Sequence, residues 1–260
     1  MVTASFRFHD ELNGFLSPMR REVEFSVSCA RNATTKHMIE ALGVPHTEVE
    51  LITVHGAVAG FDRLLQDGDR VAVYPRLGAT DAAPRGYLRE WPLEATRFIA
   101  DVHLGGLARL MRMAGFDTLC HHDLRDRDIA NIAISEARIV LTRDRDLLML
   151  RDIIHGCYVH ALRPEQQFVE IMGRLKLSDR VHPFSLCLEC NTPLQATDKS
   201  QVLERLPPSV QACHEHFTSC PHCGRVFWEG SHWRRMRRLL DAAIGQCGQL
   251  VAPMQPRVNT

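Results

Sequence analysis

"IVLTRDRDLLML", residues 139–150, opens with four residues suited to a buried strand, Ile139 to Thr142. It then sets Asp144 and Asp146 at the strand's exit, with Arg143 and Arg145 before and between them. Short apolar runs rich in β-branched residues read as buried strands. A strand that ends in carboxylates either caps the next helix or holds a cation where a parallel sheet presents its ligands. The surroundings decide between the two.

On both sides of this stretch, strand patterns alternate with helix patterns. "TRFIAD" reads as a strand, "HLGGLARLMRMAG" as a helix closed by Gly115, "FDTLC" as a strand and "DRDIANIAISEA" as a helix. After "RIVLT" come a helix over "RDLLMLRD", a strand over "CYVHAL" and a helix over "PEQQFVEIMGRL" opened by Pro164. This alternation predicts an α/β domain over 96–178, with a mostly parallel sheet covered on both faces.

In such a sheet, ligands bind beyond the carboxyl ends of the strands. Asp101 directly follows "RFIA", and Asp144 follows "RIVLT" with one residue between, so both project from the same edge. Asp126 and Asp128 open the intervening helix, whose N-terminus should face that edge, and Asp123 lies in the loop before it. Carboxylates gathered on one edge repel unless a cation joins them, and oxygen ligation suits Mg²⁺ or Mn²⁺. Such an ion activates water and neutralises charge on a scissile phosphate. The alternative is that Asp126 and Asp144 only cap helices.

Upstream, residues 1–78 follow a different pattern. "SFRFHDELNGFL" and "REVEFSVSC" read as a β-hairpin, "TTKHMIEALG" as a short helix between Thr34 or Thr35 and Gly43, and "VELITVHG" and "DRVAVYP" as two more strands. This ββαββ order resembles the sulfur-carrier branch of the ubiquitin-like β-grasp family. Carriers of that family end in a free Gly-Gly, whereas here the chain continues through Gly78-Ala79. The departure points away from carrier chemistry and toward docking or scaffolding, with a protein partner as one use of this domain. "GATDAAPRGYLREWPLEA", from which a linker over 79–95 is read, has the Pro, Gly, Ala and charge mixture of a domain boundary.

The chain has 260 residues, 45% hydrophobic and 24% charged, values of an ordinary globular protein with one or two domains' worth of core. No apolar run approaches the roughly 20 residues that cross a bilayer, and "MVTASFRFHDELNG" has no secretory pattern, so a cytoplasmic protein without a membrane partner is expected. The formal net charge is zero. Any nucleic-acid surface must therefore be local.

The nine cysteines are an odd number in a chain too large to need disulfide stapling. "CLEC" and "CPHC" place Cys187 with Cys190 and Cys220 with Cys223, the spacing of a structural zinc ribbon over 179–240. The chain between the pairs is polar and Pro-rich, so it is expected to depend on Zn²⁺ for order. Cys213, His214, His216 and His222 have poorer spacing; Cys29, Cys120, Cys157 and Cys247 read as packed thiols.

"GRVFWEGSHWRRMRRLL" follows the second pair and leads into a tail over 241–260. Arg234, Arg235, Arg237 and Arg238 cluster along a helix flank near Phe227, Trp228 and Trp233, a candidate surface for single-stranded RNA. The alternative is a solvated helix with the tryptophans packed on the zinc module. Arg109 and Arg112, on the helix after Asp101, and Arg143 and Arg145, beside Asp144, are candidates to steer a phosphate backbone into the acidic site. His103 reads as a polar edge residue rather than a base.

"FIADVHLGGLARLMRMAGFDT", "DRDIANIAISEARIVLTRDRDLL" and the cysteine-rich end together resemble the PIN-like nuclease domain at the C-terminus of Mut-seven exonuclease homologues, a family whose bacterial members place a β-grasp domain in front. The resemblance implies a ribonuclease using acidic residues and a divalent metal. It carries the strand-end acid onto Asp101, the helix-start acid onto Asp126 before Ile129, and the T-R-D acid onto Asp144, with Asp128 and Asp146 at neighbouring acidic positions. The glutamate on a middle helix of many PIN domains has no clear counterpart. The expectation is a metal-dependent ribonuclease, and the rival is an RNA-binding adaptor with a degenerate site.

Overall fold

A computed structural model of the protein describes residues 1–75, residue 88 and residues 96–250, with side chains described through residue 245. The Gly78-Ala79 step and, but for Leu88, the expected linker lie outside the described residues. The chain forms two compact units, each made of two segments: Met1–Asp101 with Asp123–Tyr158, and Val102–His122 with the chain from Val159.

The first unit begins with β1 (Val2–Phe8), β2 (Phe25–Cys29), the helix α1 (Thr35–Ala41), β3 (Val49–Val54), β4 (Ala57–Ala59) and β5 (Arg70–Pro75). They form a five-stranded sheet in the order β2-β1-β5-β3-β4, with β1 and β5 parallel and the other neighbours antiparallel. This is the ubiquitin-like β-grasp arrangement. Period-two alternation turns Ala4, Phe6 and Phe8 of β1 inward, where Ile39 of α1 and Val71 and Val73 of β5 also lie in the core. The Thr34 hydroxyl caps α1 by accepting from His37 N–H. Strand β4 is absent from the sequence reading because its residues are largely exposed. It forms because His55 and Gly56, both at positive φ, make a two-residue hairpin turn that returns the chain onto β3.

Further along the chain come β6 (Arg97–Ala100), α2 (Gly105–Met113), β7 (Thr118–Leu119), α3 (Asp126–Ser135), β8 (Arg138–Thr142), α4 (Arg145–Leu148), β9 (Gly156–Tyr158) and α5 (Pro164–Arg174). In the first unit β6, β8 and β9 are parallel neighbours with β8 in the centre, and all five residues of β8 are buried. A parallel strand covered on both faces reads as a continuous apolar run. Three of these elements are shorter than their sequence patterns. β9 ends at Tyr158 because its ladder partner β8 ends at Thr142. β7 holds two residues because the Asn191 carboxamide takes the Thr118 N–H and Thr118 Oγ1 turns back to the Phe116 carbonyl. α4 is a single turn, after which Leu150 and Ile153 continue in reverse turns.

In the second unit, α5 packs against α2 and against a long helix, α8. The chain between carries β10 (Gln195–Thr197), the short helices α6 (Lys199–Val202) and α7 (Pro208–Cys213), β11 (Phe217–Ser219) and β12 (Val226–Phe227), before α8 (Ser231–Leu250). β10, β11 and β12 form an antiparallel ribbon. Two features here go beyond the sequence reading. The insert between the cysteine pairs has a small core of its own, Val202, Leu206 and Phe217, with Val210, Val226 and Trp228 against it. The stretch expected as a tail from residue 241 continues α8, because Leu240 and Ala243 are buried and hold its inner face down; residues 251–260 lie outside the described residues.

Candidate active site and metal centre

Parallel pairing of β6 and β8 brings their carboxyl ends to one edge. There the Thr142 hydroxyl donates to Asp101 Oδ2 at 3.0 Å and accepts the Asp144 N–H at 2.9 Å. Asp101 N–H donates to the Leu141 carbonyl, extending the ladder to the acid itself. Thr142 is fully buried. Its role was not read from the sequence, where threonine in "RIVLT" is only another strand former.

Asp144 is exposed, and its Oδ1 accepts the Asp146 N–H at 2.8 Å. It therefore caps α4, yet a single backbone bond occupies one of its two oxygens. Asp126 is exposed in the first turn of α3, which packs on β6 and β8. The N-cap of that helix is Arg125, whose N–H donates to Asp128 Oδ2 at 3.1 Å in a capping box. Asp146 is exposed. Asp101 and Asp144 share an edge through Thr142, but among the described residues the four cysteines are the one group of three or more Asp, Glu, His or Cys side chains close enough to share an ion.

That cysteine group is tightly drawn. The Sγ atoms of Cys187, Cys190, Cys220 and Cys223 lie within 4.8 Å of one another, with Cys187 to Cys223 at 3.7 Å and Cys190 to Cys220 at 3.3 Å. Each C-x2-C forms the same knuckle. Asn191 N–H donates to the Cys187 carbonyl and Gly224 N–H to the Cys220 carbonyl, and the residue after each pair is left-handed, Asn191 at φ 63° and Gly224 at φ 71°. Asparagine and glycine adopt that conformation at low cost, a sequence signal that strengthens the spacing. Burial pushes the Cys187 thiol up to about 12. At Cys220, burial also raises the value but is outweighed by hydrogen bonds from Cys223 N–H, Cys190 and His222 N–H, which bring it to about 6. A low thiol value favours the thiolate that ligates metals. Cys213, the nearest spare thiol in sequence, is exposed and outside the group.

The basic residues divide by what they touch. Arg112 is 6% exposed, and its guanidinium donates to the carbonyls of Thr118, Leu188 and Glu189, tying α2 to the first knuckle. Burial makes it a structural pin rather than a phosphate contact, because a side chain 6% exposed and bonded through Nε and Nη1 offers a polyanion little guanidinium surface. Arg109 is exposed and paired to Glu189 at 2.8 Å. Arg143 is half-buried. Arg234, Arg235, Arg237 and Arg238 are all exposed on α8; Arg237 pairs with Asp241 at 3.0 Å. Trp228 packs on the Val202 core and Trp233 lies 4.9 Å from the Phe184 ring.

A ubiquitin-like sheet, a parallel α/β sheet with acids at its carboxyl edge and a four-cysteine knuckle pair define a multidomain α/β protein. The Mut7-C RNAse domain family matches residues 96–240, more than half of the chain, and the Mut7-C ubiquitin family matches residues 1–81. The chain belongs to the Mut7-C RNAse domain family, in the arrangement that carries a ubiquitin-like domain in front. Curated proteins give no match. Among solved structures, the small archaeal modifier protein 1 of Haloferax volcanii is similar at 16% identity over 29% of this chain and 98% of that one, TM-score 0.24. A second structure of that protein is 14% identical over 30% and 99%, TM-score 0.24. No described helix is long and apolar enough to cross a membrane.

Proposed function

We propose that this protein is a divalent-metal-dependent ribonuclease that hydrolyses phosphodiester bonds of single-stranded RNA. The observation that supports it is the hydrogen-bonded line from Asp101 through Thr142 to Asp144 at the exits of two adjacent parallel strands, in a chain of an RNase-domain family. Asp101, Asp126 and Asp144 would hold Mg²⁺ or Mn²⁺, and Asp128 and Asp146 add negative charge nearby. When bound, such an ion supplies an activated water and neutralises phosphate charge. The chain's own residues set the stage: Thr142 orients Asp101 and pins the Asp144 backbone, and the Asp146 N–H leaves only Asp144 Oδ2 unengaged. Arg143, next to Asp144 in the chain, would offer positive charge to the polyanion.

The four cysteines would hold Zn²⁺. Sulfurs of a tetrahedral site with metal–sulfur distances of about 2.3 Å stand about 3.8 Å apart, close to the 3.3 and 3.7 Å spacings found. Arg234, Arg235, Arg237 and Arg238 on α8 would track the RNA backbone from that module. Incubating the purified protein with end-labelled single-stranded RNA and Mn²⁺, then sizing the products, tests the reading; no cleavage with any divalent ion defeats it. The second reading, a non-catalytic RNA-binding adaptor, is favoured by the acids' lying apart rather than in a closed group.

A further inference from the structure

Arg145 stands between two acids, Asp144 and Asp146, where a cation would ordinarily pair with one of them. Its guanidinium goes elsewhere. Nη1 donates to the Phe15 carbonyl at 3.0 Å, and the guanidinium carbon lies 5.1 Å from the centre of the Phe15 ring. Among the described residues no ion pair joins Arg145 to a carboxylate. Phe15 belongs to the ubiquitin-like portion, is 4% exposed, and meets Tyr158 edge-on at 5.1 Å.

The same portion also holds β9. Tyr158 N–H donates to Glu48 Oε1 at 2.6 Å, and the His46 ring bridges, with Nε2 2.9 Å from the Ile153 carbonyl oxygen and Nδ1 2.7 Å from Glu40 Oε1. A Cβ on Gly156 would come within 2.5 Å of Leu148 and 3.4 Å of Thr47, so the approach leaves no room for a side chain. Glu48 and His46 are both buried. α4 and β9, which follow Asp144 in the chain, are thus gripped by Phe15 and by the His46–Glu48 turn.

We infer that Arg145 is a positioning residue through which the ubiquitin-like portion holds the loop carrying Asp144. The tether does two things. It limits the conformations of residues 143–146, and it keeps a cation from closing on the unengaged oxygen of Asp144, which a divalent ion needs. Its kinetic consequence rests on the nuclease reading above; the tether itself does not. The ubiquitin-like portion is, on this view, a built part of the site rather than a detachable module.

The test uses the full chain as wild type and as Arg145→Ala, Arg145→Lys and Phe15→Leu. In Arg145→Ala, amide hydrogen exchange over residues 143–148 is expected to quicken roughly tenfold. RNA cleavage should lose about 10- to 100-fold in kcat with a higher Mn²⁺ requirement, as a displaced ligand implies. KM should change less than about twofold, since no substrate contact is removed. Arg145→Lys should recover part of the loss, because an ammonium still reaches the Phe15 carbonyl. Phe15→Leu keeps the carbonyl and most of the volume but removes the ring, so it should show the same changes more weakly, and it carries the test if Arg145→Ala does not fold. Unchanged exchange overturns the inference. So does quicker exchange with unaltered kcat, or a raised KM with unaltered kcat and Mn²⁺ requirement, which marks Arg145 as a phosphate contact. If the wild type cleaves nothing, the nuclease reading fails alone and hydrogen exchange still decides the tether.

Discussion

The Thr142 hydroxyl donates to Asp101 Oδ2 at 3.0 Å while accepting the backbone N–H of Asp144, so one buried side chain joins the exits of two neighbouring strands. Thr142→Val keeps the shape and removes both bonds, leaving the Asp144 N–H unmet. A stability loss of about 1–3 kcal/mol is expected, with a larger proportional loss of RNA cleavage. Thr142→Ser should retain most of both. Denaturant melts and cleavage rates on the three proteins check this; equal activity in Thr142→Val would remove Thr142 from the site.

Asp144→Asn separates a cap from a metal ligand. Asparagine can still accept the Asp146 N–H through its carboxamide oxygen, and it caps about as well as aspartate. The melting temperature without divalent ions should stay level or rise, because like charge at the edge has been relieved. Cleavage in Mn²⁺ should fall by orders of magnitude, and Asp101→Asn should behave alike. Wild-type rates in both variants would favour the adaptor reading.

One zinc per chain should be found by elemental analysis after gentle purification. Cys187→Ser or Cys220→Ser should open residues 180–240 to proteolysis while the ubiquitin-like portion stays resistant. The small core of Val202, Leu206 and Phe217 is too limited to hold the ribbon alone, since a structural metal supplies much of the folding free energy of such modules. Absence of stoichiometric metal would exclude the zinc assignment.

Arg234→Ala with Arg235→Ala should weaken binding to RNAs of differing sequence alike. The slope of log affinity against log salt should shrink by about 0.7 for each lost single-strand phosphate contact. An identical slope would mean that α8 is only a solvated surface.

The carboxyl of Glu24 is held down to about 2, from an ordinary value of 4.5, by the Arg70 guanidinium and by the Ser5 hydroxyl. A depressed carboxylate contributes stability that is present above the unfolded value and is lost as pH falls through the folded one. Between about pH 5 and pH 2, Glu24→Gln should therefore flatten part of the acid-induced loss of stability, and the pair should matter less in high salt. Acid melts of wild type and variant at two salt concentrations measure it.

Much of this protein is legible in one dimension, because periodicity and spacing are local. "RIVLT" states a buried parallel strand, and "FRF" in β1 an alternating one. The paired C-x2-C announces four sulfurs that the fold does gather within ligand distance. Asp101 and Asp144 could be assigned to one sheet edge from their offsets alone, since parallel strands run the same way. What the one-dimensional pattern leaves open is which partner each polar group finds. Arg112 and Arg145 look alike in sequence, as cations near candidate sites. One is buried on three carbonyls of the second unit, and the other is held by a carbonyl and a ring some 130 residues away. Thr142 joins two acids because β6 and β8 are neighbours in register, and α8 runs past residue 240 because its inner face meets a packed surface. Local propensity determines the elements and their ligand types. Long-range packing alone decides which carboxylates stay free and which cations are already taken, because hydrogen-bond partners are chosen by distance in space and not by distance along the chain.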